Sequence, residues 1–223
     1  MNNPEHIKSE ITRLRQTLPT GVELVAVSKF HPAAAVRDAY DAGQRIFAES
    51  RVQELLEKVP LLPQDIKWHF IGHLQTNKVK QLIGNVDLIE SVDSARLLEL
   101  IDNISLQRGV VTRVLMQVHV AQEQTKFGWT PQELLDWFRA HHYRSLRATH
   151  LCGLMAMATD TEDTQRVEDD FRRVAELRQR ILDLCPDLCG FDILSMGMSG
   201  DYPLALRHGA THIRIGTAIF GPR

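Results

Sequence analysis

The sequence contains no apolar run near the roughly 18 residues that a bilayer-spanning helix needs, which predicts no membrane span. Its first residues, MNNPEHIKSE, are polar and lack the apolar core of a secretory signal, so export is not expected. Lysines and arginines are scattered without a basic run, and the formal charge is −2. A chain so balanced has no electrostatic grip on nucleic acid or on an anionic membrane. Cysteine is scarce, with Cys152, Cys185 and Cys189 an odd set of three. A zinc site wants at least four ligands at tighter spacings, so these read as reduced structural thiols and no metal is expected. Reduced thiols point to the cytoplasm. No G-x-G-x-x-G opens a helix, which disfavours a dinucleotide.

What is present is alternation. A helix is expected over 4–17, where Ile7, Ile11, Leu14 and Leu18 recur at helical spacing. Short apolar runs follow at 24–29 (LVAVSK), 45–49, 68–72, 86–91, 113–119, 147–155, 192–196 and 212–216. Helical patterns separate them, starting with one opened by Pro32 and including the capping box Thr130-Pro131-Gln132-Glu133 and a long amphipathic stretch over 164–184. Eight strand–helix units without a linker or a second composition regime predict an α/β fold. Specifically, they predict one (β/α)8 TIM barrel spanning residues 1–223 as a single domain, with an extra N-terminal helix completing the outer ring. An open doubly wound sheet is the alternative.

In a barrel the chemistry gathers at the carboxyl ends of the strands. The first run ends in Lys29, which a surface reading explains as the strand's exit into water. After the seventh run come Gly197-Met198-Ser199-Gly200-Asp201, and after the eighth Gly216-Thr217-Ala218-Ile219-Phe220-Gly221. Each is a tight turn if taken singly. As a pair at the loops where barrels commonly hold phosphate, they offer backbone N–H groups, two hydroxyls and helix N-termini to an anion. GTAIFG lacks the Lys-Ser/Thr of a Walker loop, which rejects a nucleotide triphosphatase. Alternation along the eighth strand puts Ile213 and Ile215 against the helices and aims Arg214 into the barrel mouth. There a guanidinium requires a carboxylate or a ligand acceptor such as a ring nitrogen. Lysine, phosphate cradle and inward arginine together suggest pyridoxal phosphate, with a Schiff base at Lys29.

The ordered motifs VAVSK, WHFIGHLQTNK, GLMAMAT, LSMGMSGD and RIGTAIFG resemble the pyridoxal phosphate homeostasis proteins, single-domain relatives of the alanine racemase N-terminal barrel. The resemblance implies a barrel holding pyridoxal 5'-phosphate on Lys29, with Ser199, Gly216 and Thr217 on the phosphate and Arg214 at the ring nitrogen. Gly200 belongs to the same cradle. Ser50 stands where the family has an asparagine flanking the cofactor, Arg51 replaces a tyrosine, and His119 replaces an asparagine. His73, at the mouth of the third strand, is expected to line the pocket. The H-x-x-x-H spacing of His69 and His73 lies on a strand and is a poor metal motif. Met155 and Met157 read as packing. Lys126, in the polar loop 124–128, reads as a solvated charge or a gate.

No residue is assigned a catalytic role. An arginine at the ring nitrogen disfavours its protonation and weakens the ring as an electron sink. The second face of a substrate also lacks the acid/base that the related racemase takes from a C-terminal domain. The expectation is therefore a monomeric cofactor holder without robust turnover, which buffers the cofactor or delivers it to apo enzymes that require it. A low-activity racemase or lyase is the alternative. A ligand-sensing interaction protein is a third class that the sequence does not separate from the first.

Overall fold

Each apolar run becomes a short strand because a closed parallel barrel buries both of its faces. The computed structural model describes residues 3–121 and 127–222. The strands are β1 Glu23–Val27, β2 Ile46–Glu49, β3 Lys67–Phe70, β4 Leu88–Val92, β5 Thr112–Val118, β6 Thr149–Ala156, β7 Ile193–Ser195 and β8 His212–Ile215. Every neighbour is parallel, and β1 pairs with β8 in the register Val25 opposite Arg214, which closes the barrel. The open-sheet alternative is thereby excluded.

The helices are α1 Pro4–Thr17, α2 Ala33–Asp41, α3 Val52–Lys58, α4 Val79–Leu82, α5 Ala95–Arg108, α6 Pro131–Arg139, α7 Thr164–Leu184, α8 Tyr202–Arg207 and α9 Thr217–Phe220. Asn3 caps α1 by accepting from Glu5 N, Pro4 occupies its first turn, and Ile7, Ile11 and Leu14 form its buried face. That face packs against α2 and α9, so α1 supplies the outer layer that the four-residue α9 is too short to provide. Both halves of the Thr130–Glu133 capping box are present at α6. On α7 the buried stripe runs through Val167, Phe171, Val174, Leu177 and Ile181, and Leu182 is only half-buried. Pro32 lies one residue outside α2 rather than in its first turn, because its backbone is extended (ψ 161°).

Two small apolar clusters, Val25–Val27–Ile46–Ala48 and Leu88–Leu115–Cys152–Met155–Ile193, are separate from the main core. The main cluster takes in the helix-facing side chains, including Phe47, Phe171, Ile213 and Ile215. Along β5 and β6 the register steps from Val114–Leu151 to Leu115–Gly153, leaving Cys152 as an extra residue, a bulge. Gly153 follows at φ +147°, and a Cβ there would sit 1.9 Å from the Ile193 carbonyl oxygen. Glycine is required at this point by both the backbone and the packing.

Substituting Gly153→Ala forces β6 and β7 apart. The expected loss is about 3 kcal/mol of unfolding free energy, from backbone strain together with overpacking. Urea denaturation followed by circular dichroism measures it, and an unchanged midpoint contradicts the bulge geometry.

Candidate functional site

The side chains that carry chemistry cluster just beyond the strand ends. Lys29 lies two residues past β1, Ser50 directly past β2, and Ile71 directly past β3. Met157 follows β6, Met198, Ser199 and Gly200 follow β7, and Gly216 and Thr217 follow β8. All of these line one cavity of about 270 Å³, together with Val27, His31, Met155, Arg214 and Gly221. Six of the eight strands thus contribute to one rim, the carboxyl-terminal mouth of the barrel. Nothing lies within 4 Å of a Cβ placed on Gly200, whereas one on Gly216 would meet the Val27 carbonyl oxygen at 3.2 Å. The Gly216 backbone therefore passes close against β1, and a side chain there would crowd the rim.

Beneath the cavity is a polar network inside the barrel. Arg214 is 3% exposed and donates from Nη1 to Ser195 Oγ at 2.6 Å and from Nη2 to the Ala156 carbonyl at 2.9 Å. Ser195 Oγ donates in turn to Glu90 Oε2 at 2.5 Å. Since β4 and β7 are not neighbours, this bond crosses the barrel interior. Glu90 Oε2 also lies 3.7 Å from Arg214 Nη1, and Glu90 Oε1 is 2.6 Å from His69 Nδ1. The His69 ring stacks with that of His212 at 6.0 Å.

Burial pushes the Arg214 guanidinium below its ordinary range, opposed by the charges of Glu90 and Asp201. Burial also presses upward on Glu90, but the His69 hydrogen bond, the charges of His69 and Arg214, and the Ser195 hydroxyl outweigh it and hold the carboxyl at about 2. Burial lowers His212 to about 4, so its imidazole is neutral at pH 7.

Seven of the eight predicted site residues line the cavity: Lys29, Ser50, Ser199, Gly200, Arg214, Gly216 and Thr217. His73 does not. Gly72 packs against the Ser50 backbone, and a Cβ there would lie 2.0 Å from the Ser50 carbonyl oxygen, so Ile71 takes the inward position. The His73 ring instead turns outward, bonds Asp93 Oδ2 at 3.0 Å and stacks on Phe127 at 3.8 Å. His119 is half-buried past the end of β5 and is not among the lining residues. Arg51 lies outside the cavity, its guanidinium 4.7 Å from the Phe30 ring centroid. Met155 is buried as expected, yet it and Met157 also form cavity wall. Lys126 lies outside the described residues.

Sequence reasoning did not single out His31, Met198 or Val27 as cavity wall, and it missed Glu90 altogether. In the run VDLIES Glu90 is one of two carboxylates, with Asp87, and nothing local distinguishes the buried one.

The arrangement suits a small planar molecule with an electrophilic carbonyl and an anionic tail. Lys29 offers an amine, Arg214 a fixed cation, and the loops at 199–200 and 216–217 offer hydroxyls and closely approaching backbone.

Residues 3–223 match the family model described as the alanine racemase N-terminal domain. The pyridoxal phosphate homeostasis protein of Haemophilus influenzae is 38% identical over 207 residues, covering 91% of this chain and 85% of that protein. PipY of Synechococcus elongatus PCC7942, solved without PLP, superposes with a TM-score of 0.92 at 39% identity, covering 96% of this chain and all of the other. With PLP bound, PipY gives a TM-score of 0.88 at 38% identity over the same shares.

The buried network makes stability depend on pH. His212 has a folded pKa below its unfolded value, so between about pH 6.5 and 4 the unfolded chain binds the extra proton and stability falls as pH falls. Glu90 extends the loss from about pH 4.5 down to about 2. His212→Gln is expected to flatten the upper window, by on the order of 2 kcal/mol across it. Unfolding free energies measured at pH 7, 5.5 and 4.5 test this, and parallel curves for the two proteins contradict it.

Proposed function

Since the chain belongs to the alanine racemase N-terminal domain family, among the pyridoxal phosphate homeostasis proteins, we propose that it binds pyridoxal 5'-phosphate covalently through Lys29. It buffers or delivers the cofactor rather than turning over a substrate robustly. One observation carries the reading: an amine, a buried guanidinium and two close-packed loops meet in one cavity at one barrel rim.

The residues fit the cofactor on the chemistry of their donors. Gly216 can admit no side chain without crowding Val27, and Gly200 leaves its backbone open, which suits the approach of a phosphate. Ser199 and Thr217 hydroxyls supply further donors, and Ser50 supplies one on the opposite wall. When bound, pyridoxal phosphate supplies an aldehyde that amines can attack and a pyridine ring that can accept electrons. Lys29 Nζ would supply the amine for that aldehyde. Arg214 would stand toward the ring nitrogen as a fixed positive charge, kept in place by Ser195 and the Ala156 carbonyl and balanced by Glu90. A fixed cation at that position disfavours protonation of the nitrogen and so weakens electron withdrawal by the ring. This favours holding over carbanion chemistry. Met155, Met157, Ile71 and Val27 give the cavity an apolar wall.

The recipients in this reading are apo enzymes that require the cofactor, and the chain acts as a cytoplasmic monomer. Its three cysteines form no disulfide, which suits a reducing compartment.

Lys29→Ala should abolish both the visible absorbance of the loaded protein and the adduct that borohydride fixes on a tryptic peptide. Labelling of another lysine would move the attachment point. Arg214→Leu should keep the adduct but shift the spectrum, and an identical spectrum would mean that Arg214 does not meet the ring. Incubating the loaded protein with L- or D-amino acids separates holder from racemase: optical activity should persist over hours, and rapid loss of it would favour the enzyme reading.

A further inference from the structure

β1 ends at Val27, and the last ladder bond before Lys29 runs from the Ser28 amide to the Ala48 carbonyl at 3.0 Å. The residue after Lys29, Phe30, has φ +68°, a left-handed conformation that costs a non-glycine residue about 1 kcal/mol or more. Side chains of one helix, α3, also grip the peptides on both sides of Lys29. On one side, the Ser28 carbonyl accepts from Lys58 Nζ at 2.9 Å, and Ser28 Oγ donates to Glu49 Oε1 at 2.6 Å. On the other, Phe30 N donates to Glu54 Oε1 at 2.6 Å. Lys58 Nζ ties the two sides together, 2.7 Å from Glu49 Oε1 and 2.8 Å from Glu54 Oε1.

Lys58 is 5% exposed and Glu49 fully buried. An ammonium has three protons to donate, and all three have acceptors here. That is the condition under which a buried charge is tolerated, and it also fixes the geometry of everything it touches. The same β2–α3 segment carries Ser50 into the cavity wall, so the clamp sets the lysine-bearing turn in register with that wall.

We propose that Lys58 and Glu54 are positioning residues for Lys29: by gripping the backbone at residues 28 and 30 they aim its amine and set the rate of its covalent attachment to an aldehyde. In that attachment the Lys29 nitrogen bonds the aldehyde carbon, and the carbonyl oxygen leaves as water. The inference rests on the reading of Lys29 as the attachment point. It goes beyond that reading in assigning control of the step to groups that touch neither the cavity nor the cofactor.

The test uses the full chain with Lys58→Met, Lys58→Arg and Glu54→Ala, and two ligands. Pyridoxine 5'-phosphate, an alcohol that cannot condense with an amine, reports the phosphate and ring contacts alone through its Kd. Pyridoxal 5'-phosphate reports attachment, through the rate of absorbance change and borohydride labelling of the Lys29 peptide. Lys58→Met and Glu54→Ala are expected to slow attachment about tenfold or more while changing the alcohol's Kd less than about twofold, as misaimed reacting groups lose rate before affinity. Lys58→Arg should recover part of the rate. Unchanged attachment rates in the variants, or equal weakening of both ligands, overturn the clamp. Absence of label at Lys29 in the unmutated chain overturns the clamp and the proposed function together. Glu54→Ala keeps the test decisive if Lys58→Met does not fold, because Glu54 lies nearer solvent.

Discussion

A guanidinium buried inside a barrel is the constraint around which the interior is built. Removing such a charge from water costs several kcal/mol unless its donors find acceptors and a countercharge lies near. Arg214 meets the condition with the Ser195 hydroxyl, the Ala156 carbonyl and the Glu90 carboxylate, drawn from three other strands. Each partner then needs its own support. Glu90 takes the Ser195 proton and the His69 ring, and His69 in turn lies against His212. The barrel therefore has a polar column through its centre, with apolar side chains such as Val25, Leu88 and Leu115 gathered in two small clusters beside it. Such a column stabilises little by itself. It fixes where one cation stands.

The rim above that column is held by a different device. Strands in a closed barrel leave rigid stubs at their carboxyl ends, and the residues just beyond them inherit that rigidity. Ser50, Gly216 and Thr217 gain their positions in this way. Lys29 stands one residue beyond the last ladder bond, and side chains of α3 add hydrogen bonds to the backbone on both sides of it. Two buried charge clusters, one around Arg214 and one around Lys58, thus serve two cations that face the same cavity.

The positions that depart from the family pattern sort themselves by where they stand. Ser50 keeps a hydroxyl at the cavity wall where the family has an amide, leaving a shorter reach and more room. Arg51 covers Phe30 from outside and so borders the strained turn beside Lys29 rather than the cavity. His119 lies past the end of β5, which contributes nothing to the cavity lining among the described residues.

The sequence by itself determined the barrel, because eight alternations of short apolar runs with amphipathic helices leave few other ways to bury both faces of each strand. Strand-end position, strand alternation and glycine-rich turns are local properties, and they marked Lys29, Ser199, Gly200, Arg214, Gly216 and Thr217, while the family resemblance marked Ser50. His73 escaped because its direction depends on the packing of Gly72 against the backbone of a neighbouring strand, a contact that no local pattern encodes. Glu90 shares its short run with Asp87, and nothing local marks it as the buried carboxylate. That it faces Ser195 across the interior follows from the stagger and closure of the sheet. The same holds for Lys58, at the end of α3, which only the fold brings under Ser28. Periodicity reports which face of an element is buried. Which buried polar group meets which is decided by the angles at which whole elements pack, and those exist only in three dimensions.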